Sequence, residues 1–412
     1  MVNLFYIPFF VIYFFLHYIE GLPAVGPFSI AQLWKIPILL VLLLYVFKSK
    51  RNFERFETWG YLYSLSPFLC PAIFTNPFTI FVFSVKQLPL VLFYNFWVKF
   101  RITLLERLLL MFAQFISVAS AITLFRVIEP LRDYKSAEGH YHGAVYYTSI
   151  FGTAHAASSY FCISIIVILY FFIQGKFKTK IEKIMNIVLL AISLYSIYLA
   201  YVRTGWFMLL VSLFFIVDIK NINIRQKVKV FIGCLIIGIG LMGLYNNDDA
   251  FRMRVSGGGV YRGESEQVVD TKGSGRLEFW KNGWDNWSNG DFYQLCFGKG
   301  YDSVVEYNYK KTGMRVFSHN QFVDSLAQYG MFSLFFLVLF YISIFQYIRR
   351  VGKNSRYKSL CYSVLSASLI FSIFQNEIYW DFAVIFSISL ALISKEKILP
   401  HQHHFFEETN NI

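Results

Sequence analysis

The chain has 412 residues, of which 56% are hydrophobic, 20% aromatic and only 15% charged, with a mean hydropathy of +0.48. Such a composition excludes an ordinary soluble enzyme. The formal net charge of +13 sits in short Lys/Arg tracts between apolar runs, the pattern of membrane loops, so no nucleic-acid partner is expected.

A transmembrane helix needs ~20 apolar residues, and twelve apolar segments follow one another: roughly 2–19, 30–47, 58–74, 77–97, 108–125, 147–173, 184–202, 206–219, 230–245, 329–348, 359–374 and 380–394. The expected fold is an all-α polytopic membrane protein with about 12 transmembrane helices. The first run lacks a basic start and a small-residue cleavage site, and reads as a retained helix. In the fourth, Lys86 and Pro89 interrupt the apolar pattern. Either the helix is broken or tilted there, with the amine snorkelling, or the lysine is functional.

Basic residues at Lys48–Arg55, Lys176–Lys183, Lys220–Lys229 and Arg349–Lys358 fall on one side of this alternation, as do Lys99, Arg101, Arg107, Lys395 and Lys397. The positive-inside rule then puts both termini in the cytoplasm. Four regions result: residues 1–245 with helices 1–9, a large periplasmic loop at 246–328 between helices 9 and 10, residues 329–394 with helices 10–12, and a cytoplasmic tail at 395–412. A second external loop, Arg126 to Tyr146, carries His140 and His142. The tail histidines His401, His403 and His404 suit a solvated tail or, less simply, a metal. The five cysteines, at 70, 162, 234, 296 and 361, have no paired spacing, which implies neither a disulfide framework nor a zinc site.

Polar chemistry concentrates on the external side. In Tyr201-Val202-Arg203-Thr204-Gly205-Trp206, a tight turn holds Arg203 at headgroup level, where a guanidinium grips phosphate oxygens or anchors the helix end. In Ser274-Gly275-Arg276-Leu277-Glu278-Phe279-Trp280, Ser274 is a possible cap, and Leu277, Trp280, Trp284 and Trp287 form one apolar helix face, lying on the membrane or on the bundle. There Arg276 either points into a cavity or pairs with Glu278. In Ser318-His319-Asn320-Gln321, Ser318 caps a helix and puts His319 in the first turn, where the dipole disfavours imidazolium and leaves a neutral general base or an ordinary polar residue. Two arginines and a neutral base on one face describe a site for a pyrophosphate-linked substrate, whose departing phosphate is stabilised by cations without a metal. No acidic metal motif, nucleotide loop or Ser-His-Asp pattern accompanies it.

Taken together, Arg203-Thr204-Gly205-Trp206, Ser274-Gly275-Arg276 with Trp280, Gly298-Lys299-Gly300, and His319-Asn320 followed by Gly330 resemble the O-antigen ligase and O-antigen polymerase family of bacterial membrane glycosyltransferases. The resemblance covers about residues 200–345. Where the family has a second glycine three residues after the first, Ser333 stands here. The resemblance implies a donor glycan on undecaprenyl pyrophosphate, metal-independent inverting transfer without a cofactor, and catalytic roles at Arg203, Arg276 and His319. It further implies a lipid-linked acceptor, the bilayer and a chain-length regulator as partners, and the bacterial inner membrane as location, with the active site on the periplasmic side. The expected activity is that of the polymerase. The ligase, which passes the glycan to lipid A core, is the near alternative, and a flippase for the lipid-linked unit the distant one.

Overall fold

The computed structural model describes residues 6–21, 29–49, 51–131, 133–135, 145–216, 242–243, 245–248, 252, 261–262, 268–269, 276–375 and 379–408. Among these the chain is helical almost throughout. The helices are α1 (Tyr6–Tyr18), α2 (Ile30–Lys48), α3 (Arg55–Leu65), α4 (Pro77–Lys86), α5 (Pro89–Trp97), α6 (Ile102–Leu124), α7 (Ala154–Ile173), α8 (Lys180–Leu199) and α9 (Arg203–Ile216). After the partly described stretch come α10 (Arg276–Ser288), α11 (Phe292–Phe297), α12 (Ser303–Thr312), α13 (Gln321–Val351), α14 (Lys358–Phe374) and α15 (Trp380–Glu408). Two short antiparallel ribbons, Asp133–Lys135 with Val145–Tyr147 and Tyr261–Arg262 with Val268–Val269, are the strands among the described residues.

Five of these helices, α2, α6, α7, α8 and α13, are long and apolar enough to cross a bilayer, and the bent pair α4–α5 makes a sixth. The fourth apolar segment is therefore broken. Its two halves meet at 43° around Lys86 and Pro89, because a proline at the start of α5 supplies no amide to bond back to α4. The third is shorter than its apolar run: α3 stops at Leu65 and two 3₁₀ turns, Ser66–Leu69 and Pro71–Phe74, each opened by a proline, carry the chain onward. The expected ninth segment, 230–245, lies almost wholly outside the described residues, as does Ser274.

The basic loops gather at one end of the bundle. Glu106 near the start of α6 receives Lys176 at 2.9 Å, Arg356 at 3.6 Å and the Tyr357 hydroxyl at 2.6 Å, while Arg356 also meets Glu396 at 3.2 Å and Arg350 meets Glu54 at 2.6 Å. Between the ends, small hydroxyl residues join the helices. Ser117 on α6 bonds Ser164 on α7 at 2.8 Å and Ser193 on α8 at 2.7 Å, a type of contact that holds apolar helices where burial alone gives no preference. The opposite end, where α7, α9, α10 and α13 begin, carries the remaining polar groups described below.

The region expected as a loop before the tenth span is itself largely helical from Arg276 onward. The span starts inside one long helix, α13, which kinks at Gly330, whose φ is +78°. A Cβ at Gly330 would lie 2.3 Å from the Cys296 carbonyl, and one at Gly298, φ +85°, would lie 2.1 Å from the Gln328 carbonyl. The two backbones thus press together in conformations that side chains rarely adopt, and the Gly300 amide closes the contact on the Gln328 carbonyl at 2.9 Å. This is the physical content of the Gly298-Lys299-Gly300 and Gly330 motifs: they lock the extramembrane helices onto the kink.

Candidate functional site

Arg203 opens α9 directly after a connection of three residues from α8, in which Tyr201 takes a positive φ of 50°. Helix α9 lies hard against α7. A Cβ at Gly205 would stand 1.7 Å from the Ser158 hydroxyl, so the glycine of Arg203-Thr204-Gly205-Trp206 is a requirement of that approach. With Gly205 seated, the buried Thr204 turns its hydroxyl toward α10, and Arg276 Nη1 donates to it at 3.4 Å. The arginines therefore open two helices whose first turns touch.

Helix α10 is held by its small and polar face. Phe279, Asn282, Gly283 and Asn286 are buried, and a Cβ at Gly283 would come within 2.5 Å of Val323 on α13. Asn282 also donates to Asn308 of α12 at 3.0 Å, and Lys299 donates to the Asn286 carbonyl. The aromatic stripe is divided: Trp280 packs on Phe374 of the bundle with ring centroids 6.0 Å apart, whereas Leu277 is 65% and Trp284 54% exposed, continued by Phe292 at 82% on α11. Of the two placements open from sequence, Trp280 takes the one on the bundle, while Leu277 and Trp284 stay exposed. The Arg276 guanidinium lies 5.7 Å from the ring centroid of Phe374, the last residue of α14.

His319 precedes α13 rather than sitting in its first turn. The expected cap, Ser318, is occupied elsewhere, since Asp324 Oδ1 accepts both its amide at 3.1 Å and its hydroxyl at 2.5 Å. Asn320 caps the helix instead, its side chain accepting the amides of Phe322 at 2.9 Å and Val323 at 3.1 Å. His319 is left at φ +54°, a strained conformation of the kind that concentrates at functional sites. Its imidazole is neutral, as expected, but for another reason. Burial, then repulsion from Arg276, push its pKa down to about 4, against a weaker opposing hydrogen bond from Gln375. Gln375 Nε2 stands 2.8 Å from His155 Nδ1, so the Gln375 side chain joins His155 to His319.

Two of the residues named from sequence, Arg276 and His319, thus lie within electrostatic reach of each other, and Arg203 directly precedes the Thr204 that Arg276 bonds. Thr204, Phe374, Gln375 and His155 complete the group and were not anticipated. Their signal was slight: Gln375 and His155 are single polar residues at the margins of the apolar runs 359–374 and 147–173. Among the described residues no three His, Cys, Asp or Glu side chains are grouped to hold a metal ion.

The helices and this cationic cluster define a multi-pass, all-α membrane protein with a site formed at helix starts. Residues 187–338 match the family model described as O-antigen ligase. The matched stretch contains Arg203, Arg276 and His319. No curated protein matches the chain.

Proposed function

We propose that the protein is an O-antigen, or related surface-polysaccharide, polymerase acting on lipid-linked repeat units at the periplasmic face of the inner membrane. Arg203 and Arg276 grip the pyrophosphate of the undecaprenyl-linked donor, and His319 takes the proton of an acceptor sugar hydroxyl on another lipid-linked unit. The hydroxyl oxygen forms a bond to the anomeric carbon as the anomeric carbon–phosphate oxygen bond breaks. The electron pair leaves on the undecaprenyl pyrophosphate, where the guanidiniums offset the new charge, and the anomeric configuration inverts. No metal enters the step. The observation that carries this reading is the adjacency of Arg276 to Thr204 at 3.4 Å and to a His319 kept neutral by burial and by that same arginine.

The description of the matched family favours the ligase as second reading, since both use one donor and differ in acceptor. Deleting the gene separates them. Loss of the polymerase leaves lipopolysaccharide of core plus a single unit, with the ladder gone, whereas bare core with polymer on the carrier lipid identifies the ligase. A unit trapped on the cytoplasmic face identifies a flippase. Sidedness is tested with cysteines at Ser288 and Asn354, both exposed: an impermeant thiol reagent applied to intact cells is expected to label position 288 and not 354.

A further inference from the structure

A second polar cluster joins the end of α1 and the 3₁₀ turn after it, Ile19–Gly21, to the starts of α2 and α15. Asp381 Oδ2 accepts the Tyr13 hydroxyl at 2.6 Å and its Oδ1 lies 3.2 Å from His17 Nε2. His17 Nδ1 is 3.6 Å from Glu20, and Glu20 receives Lys35 at 2.7 Å. Acidic and basic side chains thus alternate from a buried aspartate to the wall of a cavity of about 270 Å³, lined by Glu20, Gln32, Lys35 and Lys86 on its polar side and by Phe151 and Trp380 on its apolar side. Ionisable groups inside an apolar bundle are costly, and their retention around an open space points to a ligand.

We propose that this cavity is a sugar subsite and holds the acceptor glycan; the acceptor role rests on the transferase reading above. Paired acids and bases offer donors and acceptors side by side with their charge balanced, which suits neutral hydroxyls, and Trp380 and Phe151 give the apolar wall that a pyranose ring covers. The arginine cluster, by contrast, suits the pyrophosphate. The cavity adjoins the base through its neighbours. Thr153 and Ala156 line it from the same first turn of α7 that carries His155, the partner of Gln375. A smaller cavity of about 20 Å³ shares Lys86 and Pro89 with it and is lined also by Gln87 and Gln321, two residues beyond His319, and Gln321 bonds Gln87 at 3.3 Å. On this proposal the acceptor hydroxyl reaches His319 from the side of Thr153 and Gln321, apart from a donor held by the arginines.

The test uses the purified full-length protein in lipid nanodiscs and, as probe, the lipid-free oligosaccharide of the strain's own repeat unit, titrated calorimetrically beside transfer assays. The double variant Glu20→Gln, Lys35→Gln is expected to weaken oligosaccharide binding and raise the acceptor KM by about tenfold or more, the loss of roughly one charge-assisted hydrogen bond, with donor KM and saturated kcat kept. Trp380→Ala is expected to act likewise and Lys35→Arg to restore binding, so a folding failure in one variant leaves the others decisive. No binding to the wild-type protein, or unchanged binding in well-folded variants, overturns the subsite. Oligosaccharide binding that these variants abolish, in a protein that never transfers glycan, keeps the sugar subsite and sinks the enzyme reading instead.

Discussion

The two polar clusters of this protein are built on opposite electrostatic plans. Around Thr204 two arginines open neighbouring helices, and one of them, Arg276, acts on a histidine that resists protonation, whereas from Asp381 to Lys35 the chain alternates acid and base at 2.7–3.6 Å. Gathering like charge costs free energy that only an anion returns, so the first cluster is organised for a ligand with negative charge. Alternation neutralises itself and stays in place with or without a ligand. On the proposed function, it is the charge pattern, rather than the depth of either site, that separates the phosphate-binding from the hydroxyl-binding surface.

The contrast makes the first cluster sensitive to catalysis and the second to folding. His319→Ala is expected to lower transfer by ~10²–10⁴-fold, the usual worth of a general base, with membrane insertion unchanged. Arg203→Ala and Arg276→Ala are expected to abolish polymer assembly, and Arg203→Lys to impair it, because a point charge replaces a planar fork. A loss below tenfold in His319→Ala would reduce the histidine to a support for the Asn320 cap. In the second cluster the large effect is on stability. Asp381→Leu leaves His17 and the Tyr13 hydroxyl without their buried acceptor and is expected to cost about 3–5 kcal/mol, read from thermal or denaturant unfolding in detergent. Asp381→Asn, which keeps an acceptor for Tyr13, is expected to cost less.

How much of this was legible in the sequence follows from the range of each interaction. Long apolar runs declare themselves, so α6, α7 and α8 fall close to the segments read at 108–125, 147–173 and 184–202. Arg203, Arg276 and His319 were legible because each sits in a short polar motif against an apolar background. Their mutual adjacency was not, since it depends on Gly205 letting α9 approach Ser158 and Gly283 letting α10 approach Val323. The cap at α13 was misread because Ser318 and Asn320 are both good capping residues, and only the contact with Asp324 decides between them. The Asp381 chain joins residues more than 360 positions apart and left no local signature.

The glycine lock at the α13 kink is expected to give an intermediate effect. Gly330→Ala requires a side chain at φ +78° and within 2.3 Å of the Cys296 carbonyl, so a loss of about 1–3 kcal/mol from backbone strain is expected, with more if the kink cannot relax. Gly298→Ala, facing it, is expected to act the same way. If the two effects, measured singly and together, simply add, the segments are not pressed together as described.

The smallest effect is a shift in pH dependence, and it reads the electrostatic plan of the first cluster directly. An exposed histidine titrates near ~6.5, whereas burial and the Arg276 cation push His319 to about 4. The acid limb of kcat/KM is therefore expected near pH 4, because the base stays unprotonated down to that value. Stability runs the other way. Below the unfolded value of ~6.5 the unfolded chain binds a proton that the native site refuses, so this residue lowers native stability progressively as pH falls, until the folded site protonates near 4. Arg276→Gln removes the repulsion but leaves the burial, which is the larger cause, and is expected to raise the limb only part of the way toward 6.5. Transfer by this variant is slow, but the position of its limb is independent of its height. A wild-type limb already at 6.5, or a limb unmoved by Arg276→Gln, would mean that His319 neither resists the proton nor senses the arginine.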